Sequence, residues 1–296
     1  MHGEQRQTIW RPRQRKHGAW IRSLGLAYGL AAFTGTWIFF TWFVLFLGNF
    51  PKRSSPWLET TVDVGQTVEP LTAALINVGL VSIFCLQHSL MARPWFKAAL
   101  ARSIPEALER ATYVHAANVT GMFFLALWQP IPTPLWTIDN SLLEGLIWCA
   151  FAAGWLILLS AALSMNIWEL LGLRQAWAWF RCRPHPPLRL KTSWLYRYLE
   201  HPMYVGVILG IWMTPHMTVG HALLASFLTL YIAIGMAYER RDLQERFGVS
   251  YARWRADEGG APACIRAAVA HELNRRLDHI TCEPLPPRMR ALLWKI

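Results

Sequence analysis

From Gly25 to Leu47 the chain runs without an Asp, Glu, Lys or Arg. The same holds from Leu71 to Leu90, from Ala111 to Trp128 and from Val219 to Tyr238, while Leu142 to Leu163 carries one acid, Glu144. Uncharged runs of this length leave few architectures open. Within a hydrocarbon layer no water reaches a free N–H or C=O, so a segment must satisfy its own peptide groups. A helix of about 20 residues does so across a ~30 Å core. A soluble protein of 296 residues that is 54% hydrophobic would need a very large interior. Separate apolar runs divided by polar loops point instead to a multi-span membrane protein.

Charge placement agrees. The net charge of +11 comes from Lys and Arg in the segments between the apolar runs, and 17 tryptophans accompany them. Basic loops on the cytoplasmic side and aromatic belts at the headgroups explain both. The basicity is therefore no footprint of nucleic-acid binding. Cys85, Cys149, Cys182, Cys264 and Cys282 form no C-x-x-C pair and have no metal-ligand spacing with histidine, which argues against a disulfide framework and against structural zinc. Cys85 and Cys149, inside apolar runs, are expected to be small core residues.

The expected fold is all-α, a polytopic helix bundle of four spans plus a C-terminal helical hairpin. Residues 1–22 form a basic cytoplasmic tail, residues 23–257 the membrane domain, and residues 258–296 a linker and an amphipathic extension. The first apolar run is too long for a signal-peptide core and is expected to stay as a span. The spans are Gly25–Leu47, Leu71–Leu90, Ala111–Trp128 and Leu142–Leu163. The loop from Gly48 to Pro70 and the basic-free QPIPTPLW suit the outer side, whereas Arg93 and Lys97 suit the inner one. The basic, Trp-rich stretch from Ser164 to Glu200 is expected to lay a short helix in the interface over LGLRQAWAWF. Pro202 suits the first turn of a helix, Thr214-Pro215 turns the chain, and Val219–Tyr238 returns. Both termini then lie in the cytoplasm. Ile265, Val269, Leu273, Leu277 and Ile280 recur at helical spacing, as in an amphipathic helix.

The hairpin returns Glu239 to the end at which His201 left it. An ionisable group at the edge of a membrane helix is a functional candidate. Glu239 at a helix C-terminus opposes the macrodipole, so either a cation on the protein, a cationic ligand, or plain water compensates it. His201 is a ligand-facing group or an interface histidine bonded to backbone.

H-P-x-Y-x-G at His201–Gly206, E-x-R-D-L at Glu239–Leu243 and F-G-x-x-Y at Phe247–Tyr251, with a hairpin between the first two, resemble the isoprenylcysteine carboxyl methyltransferase-like membrane methyltransferases. QHSLMARPWFK, ERATYV, the LWQP after the third span and LGLRQAW resemble the methanethiol S-methyltransferase branch, related to NnrU-like proteins. The resemblance spans about Leu71 to Trp254.

It implies methyl transfer from S-adenosyl-L-methionine to methanethiol, giving dimethyl sulfide, at the cytoplasmic mouth of the C-terminal helices. Carried over by position, His201, Tyr204, Gly206, Glu239 and Tyr196 would hold the cofactor. A carboxylate and aromatic faces suit a sulfonium, and Gly206 would let a ligand or another helix approach the backbone. An alkanethiol must lose its proton to attack, so His88 or His201 is the expected base, with Arg93 or Arg174 stabilising the thiolate or the cofactor carboxylate. The partners are a small thiol and the lipid bilayer, with no metal. Glu200 stands where the family has Arg, Arg240 where it has a second Glu, and Trp194 where Gly is common. Glu200 and Arg240 are expected to keep an ion pair with reversed poles. The alternative readings are another thiol or an isoprenoid-type carboxylate as acceptor, a sterol-reductase-like oxidoreductase, and a non-catalytic relative.

Overall fold

The computed structural model describes residues 18–50, 60–183 and 201–256, the last 18 of these by their backbone alone. The basic tail and the C-terminal extension lie outside the described residues. Two compact units result. Residues 1–192 with 202–231 make the first, and residues 193–201 with 232–296 the second.

Long helices dominate, as the uncharged runs require. They are α1 (Ala19–Leu47), α2 (Pro70–Met91), α4 (Glu106–Leu127), α5 (Ser141–Ser164), α8 (Pro202–Trp212) and α9 (Val219–Ala256), with α3 (Pro94–Leu100), α6 (Ile167–Leu170) and α7 (Leu173–Phe180) between them. Four segments are long and apolar enough to cross a bilayer: α1, α2, α5 and residues 219–238 of α9. Only 22% of the most apolar window of α1 is buried by protein, and Leu24, Ile38, Leu75, Ile83, Leu142 and Leu156 are exposed. In water that surface would be prohibitive. In lipid it is the expected outer face, and the chain is an integral membrane protein.

The third expected span, α4, forms but is not among those four. Its sequence is less apolar because it spends residues on internal bonds. Asn118 Nδ2 donates to the Ala32 carbonyl at 3.0 Å and its Oδ1 accepts from Thr36 at 3.2 Å, while Thr120 donates to Gln87 Oε1 at 3.2 Å. Polar side chains bonded across helices are tolerated where lipid-facing ones are not.

Helix ends follow local chemistry. Glu69 caps α2, accepting from the Thr72 amide at 2.8 Å. That bond, with a second from the Leu71 amide, holds its carboxyl below the usual range against a smaller opposing effect of desolvation. Asn140 caps α5 by accepting from Leu142 and Leu143. Proline occupies the start of α2, α3 and α8, where its missing N–H costs nothing. At 11 residues α8 spans only about 16 Å, short of the bilayer core, as its sequence indicated.

Three expectations need correction. Helix α9 runs unbroken from Val219 to Ala256, so Glu239 stands in the middle of a helix and not at a C-terminus, and no macrodipole opposes its charge there. The stretch LGLRQAWAWF forms a short helix as expected, but only from Leu173 to Phe180, as α7. Gly172 precedes it at φ 85°, and a Cβ there would lie 2.7 Å from the Ala111 nitrogen, so the chain turns tightly over the start of α4 before α7 begins. The inner side of α7 then packs on α1, Ala176 against Gly29 and Trp179 against Gly25. Cys149 is exposed on α5, not a core residue, whereas Cys85 is buried. The loop after α4 also holds a strand missing from the sequence reading. Strand β1 (Pro134–Thr137) pairs antiparallel with β2 (His216–Thr218) in the turn between α8 and α9.

The core is aromatic. Phe43, Phe46, Phe124, Trp128, Phe151 and Trp155 meet largely edge-to-face, with Ile211, Leu224 and Leu228 against them. One buried amide pins the end of α4 to α2. Asn77 Nδ2 donates to the Gln129 carbonyl at 2.7 Å and its Oδ1 accepts from the Gln129 amide at 2.9 Å. Replacing Asn77 with Leu removes both bonds and leaves two backbone groups unpaired, each worth about 1–3 kcal/mol. Thermal unfolding in detergent should show a large drop in midpoint, and an unchanged midpoint would mean water replaces the amide.

Candidate active site

In the first unit, polar groups collect where α2 ends, α4 begins and α9 passes. His88 lies in the last turn of α2 with its ring between those of Phe84 and Tyr113, at 5.8 and 5.1 Å between centroids. Its Nδ1 is buried and has no hydrogen-bond partner among the described residues. A buried imidazole nitrogen without a partner is costly, so the placement calls for a reason. Tyr113 donates through its hydroxyl to the His88 carbonyl at 3.3 Å. The next residue, Ser89, shares a 3.0 Å hydrogen bond with the Tyr231 hydroxyl. Arg110 places its guanidinium carbon 4.9 Å from the centre of the Tyr113 ring, and its Nε donates to the Leu170 carbonyl at 2.6 Å.

Two other histidines of this unit are bonded to backbone, although Nδ1 of His221 is also buried without a partner among the described residues. His115 Nε2 bonds the Tyr28 carbonyl at 3.0 Å. Near the start of α9, buried His221 donates from Nε2 to the Ile211 carbonyl at 2.9 Å and from its amide to Thr218. The Thr218 hydroxyl donates to Asp63, which also accepts from Asn49. Arg174, expected as a cation for thiolate or carboxylate, is committed elsewhere: its Nη1 lies 2.8 Å from Oε2 of buried Glu169.

Tyr204 and Gly206 sit on α8 in the first unit, Tyr204 half-buried. The Cβ side of Gly206 faces α5. A methyl group there would lie 2.7 Å from both the Gly154 oxygen and the Leu158 nitrogen. Of the two approaches that Gly206 permits, the structure fills this one with a helix. His201, half-buried, and the Glu239 backbone belong to the second unit. The Glu239 and Arg240 side chains, Tyr196, Trp194 and Glu200 lie outside the described residues, and with them the reversed ion pair.

Sequence reasoning passed over Arg110 and Tyr113, although ERATYV contains both, and over Tyr231. Its attention to ionisable residues at helix ends missed groups one turn inside. It also missed Gly154 and Gly210. Gly206 and Gly210 form G-x-x-x-G in an apolar helix, a signal for close helix contact.

The chain is 38% identical over 234 residues to a methanethiol S-methyltransferase of Crocosphaera subtropica, covering 79% of this chain and 89% of that relative. It is 35% identical to methanethiol S-methyltransferase 2 of Bradyrhizobium diazoefficiens, covering 78% and 86%. The chain belongs to the methanethiol S-methyltransferase family. A member from Mycobacterium tuberculosis is 31% identical, with 80% and 94% covered. No family model and no solved structure matches the chain. Family membership thus extends well beyond the His201–Tyr251 signature. It takes in α2 and α4, where His88, Arg110 and Tyr113 stand.

Proposed function

We propose that the chain is an integral-membrane methyltransferase that moves the methyl group of S-adenosyl-L-methionine to methanethiol, giving dimethyl sulfide. The observation that carries this reading is the match, at up to 38% identity and over most of each chain, to relatives named methanethiol S-methyltransferase.

The residue chemistry supports it. A sulfonium is a cation, so the Glu239 carboxylate and the aromatic His201, Tyr204 and Tyr196 suit it as cofactor-binding groups. Gly206 keeps α8 tight on α5 and so fixes the helix that carries Tyr204. On the acceptor side we take His88, rather than the alternative His201, as the base, and its buried Nδ1 is open to a proton, with no partner among the described residues. The thiol S–H bond breaks and its proton passes to Nδ1. The sulfur lone pair forms the new bond to the methyl carbon, and the pair from the broken carbon–sulfonium bond stays on the donor sulfur. Thiolate and sulfonium charges cancel, leaving neutral products and one proton on the histidine. An apolar surrounding favours this step, since opposite charges are consumed. Both termini and the site are cytoplasmic in this reading, consistent with a donor made in the cytoplasm.

The test supplies membranes containing the protein with methanethiol and methyl-labelled S-adenosyl-L-methionine and measures labelled dimethyl sulfide in the headspace. Product above that of empty membranes is expected. Glu239→Gln should weaken cofactor binding by calorimetry more than it lowers the melting temperature. Absence of both product and cofactor binding in the parent protein would overturn the reading and favour a non-catalytic relative.

A further inference from the structure

We propose that Arg110 is a catalytic residue of the acceptor site, holding the thiolate sulfur that His88 generates. The inference rests on the methanethiol reading and names a group to which nothing in the sequence motifs gave a role.

Three observations carry it. First, Arg110 has no carboxylate within ion-pair distance among the described residues. Its neighbour Glu109 instead reaches Lys97, at 3.8 Å. Arg174, by contrast, is paired with Glu169 at 2.8 Å. A half-buried guanidinium at the edge of a membrane bundle is expensive without an anion. Second, its hydrogen bond among the described residues uses Nε, toward the carbonyl that ends α6. That contact explains the position of the side chain. It leaves the four N–H donors of Nη1 and Nη2 without a protein acceptor among the described residues. Third, the Tyr113 ring contacts both Arg110, 4.9 Å from the guanidinium carbon, and His88, 5.1 Å between centroids. The Tyr113 hydroxyl is anchored on the His88 carbonyl, which holds the ring in that position. Among the described residues, a proton acceptor without a donor and a cation without an anion thus flank one aromatic ring.

Together these are the two halves of a thiol-acidifying site. A nearby cation lowers a thiol pKa and stabilises the thiolate once formed. Arg110 then orients the sulfur by N–H···S⁻ bonds while His88 holds the proton. Tyr113 supplies an apolar, polarisable face for the methyl group. The competing source of an anion is the cofactor carboxylate, and kinetics distinguish the two.

The experiment compares the parent protein with Arg110→Gln and Arg110→Lys, varying methanethiol and S-adenosyl-L-methionine separately across pH. Arg110→Gln is expected to lower kcat/KM for the thiol roughly a hundredfold near neutrality. The acid limb of the pH profile should move to higher pH, because without the cation both His88 and the thiol hold their protons more tightly. The KM for the cofactor should change by less than about twofold, and cofactor binding should persist by calorimetry. Arg110→Lys should restore part of the rate, keeping charge but losing the planar fork. If Arg110→Gln raises the cofactor KM and leaves the pH profile unmoved, Arg110 binds the carboxylate and the proposal is wrong. If it lowers only the melting temperature, with kinetics intact in the folded fraction, Arg110 merely caps α6 and the proposal is equally wrong. Failure of the parent protein to make dimethyl sulfide would instead refute the underlying functional reading.

Discussion

Replacing His88 with Phe is expected to lower methanethiol methylation by roughly 10²–10⁴-fold while leaving the protein folded. Phenylalanine retains a flat ring between Phe84 and Tyr113 and removes the nitrogen that has no partner among the described residues. Ring packing should therefore survive, and the melting temperature in detergent should stay the same or rise. Removing an unsatisfied buried polar atom is neutral or favourable, unlike removing one partner of a bonded pair. The discriminating readout is the acceptor. A selenol is far more acidic than the corresponding thiol and is already ionised near neutrality, so it does not need the base. His88→Phe should retain much of its activity with methaneselenol and lose it with methanethiol. Equal losses with both acceptors would show that His88 shapes the site without accepting the proton, and would move that role to His201.

Gly206→Leu is expected to abolish the folded protein altogether. Helices α5 and α8 approach backbone to backbone. A Cβ on Gly206 meets the Gly154 oxygen and the Leu158 nitrogen at 2.7 Å, and one on Gly154 meets the Gly210 nitrogen at 2.6 Å. Real side chains do not sit at such distances against backbone, so the helices must separate. Alanine at Gly206 should cost about 1–3 kcal/mol, as overpacking of a tight contact does. Leucine should leave the protein aggregated on detergent extraction, as seen by size exclusion. Gly79→Ala and Gly145→Ala provide the control, because a Cβ at either meets nothing within 4 Å. They should be neutral or slightly stabilising in helices. A Gly206→Leu protein that extracts as a monodisperse species but no longer binds cofactor would reverse the interpretation, making ligand approach the reason for the glycine.

The contrast between these two residues bears on what a sequence reveals. Gly206 was singled out for backbone approach, yet which body approaches it depends on the partner helix. Gly154 lies on α5 nine residues after Gly145, which opens on empty space, and only the neighbouring helix shows which of the two is in close contact. His88 was legible as a polar group at the end of a span. Its unpaired Nδ1 was not, because that requires knowing every neighbour. Arg110 was hidden for the same reason. Its significance lies in a carboxylate that is absent, and only a packed structure shows where Glu109 and Glu169 direct their charge instead.

Other elements divide along the same line. Helices α1, α2 and α5, the proline start of α8 and the return through α9 follow from runs whose peptide groups have to be satisfied internally. That constraint is local, so the sequence alone determined it. The sequence also determined membership of a membrane methyltransferase family, through motifs at the mouth of the hairpin. Tertiary structure decided the rest. It paired β1 with β2 across some eighty residues, set the start of α7 at Gly172 over the start of α4, and used the polar residues of α4 to bind its neighbours. It also brought a cation and an imidazole nitrogen, each without a partner among the described residues, to one tyrosine ring. Each of these depends on which segments become neighbours. In a bilayer that choice is made by close packing and by bonds between buried polar groups, since lipid covers apolar surface as well as another helix does.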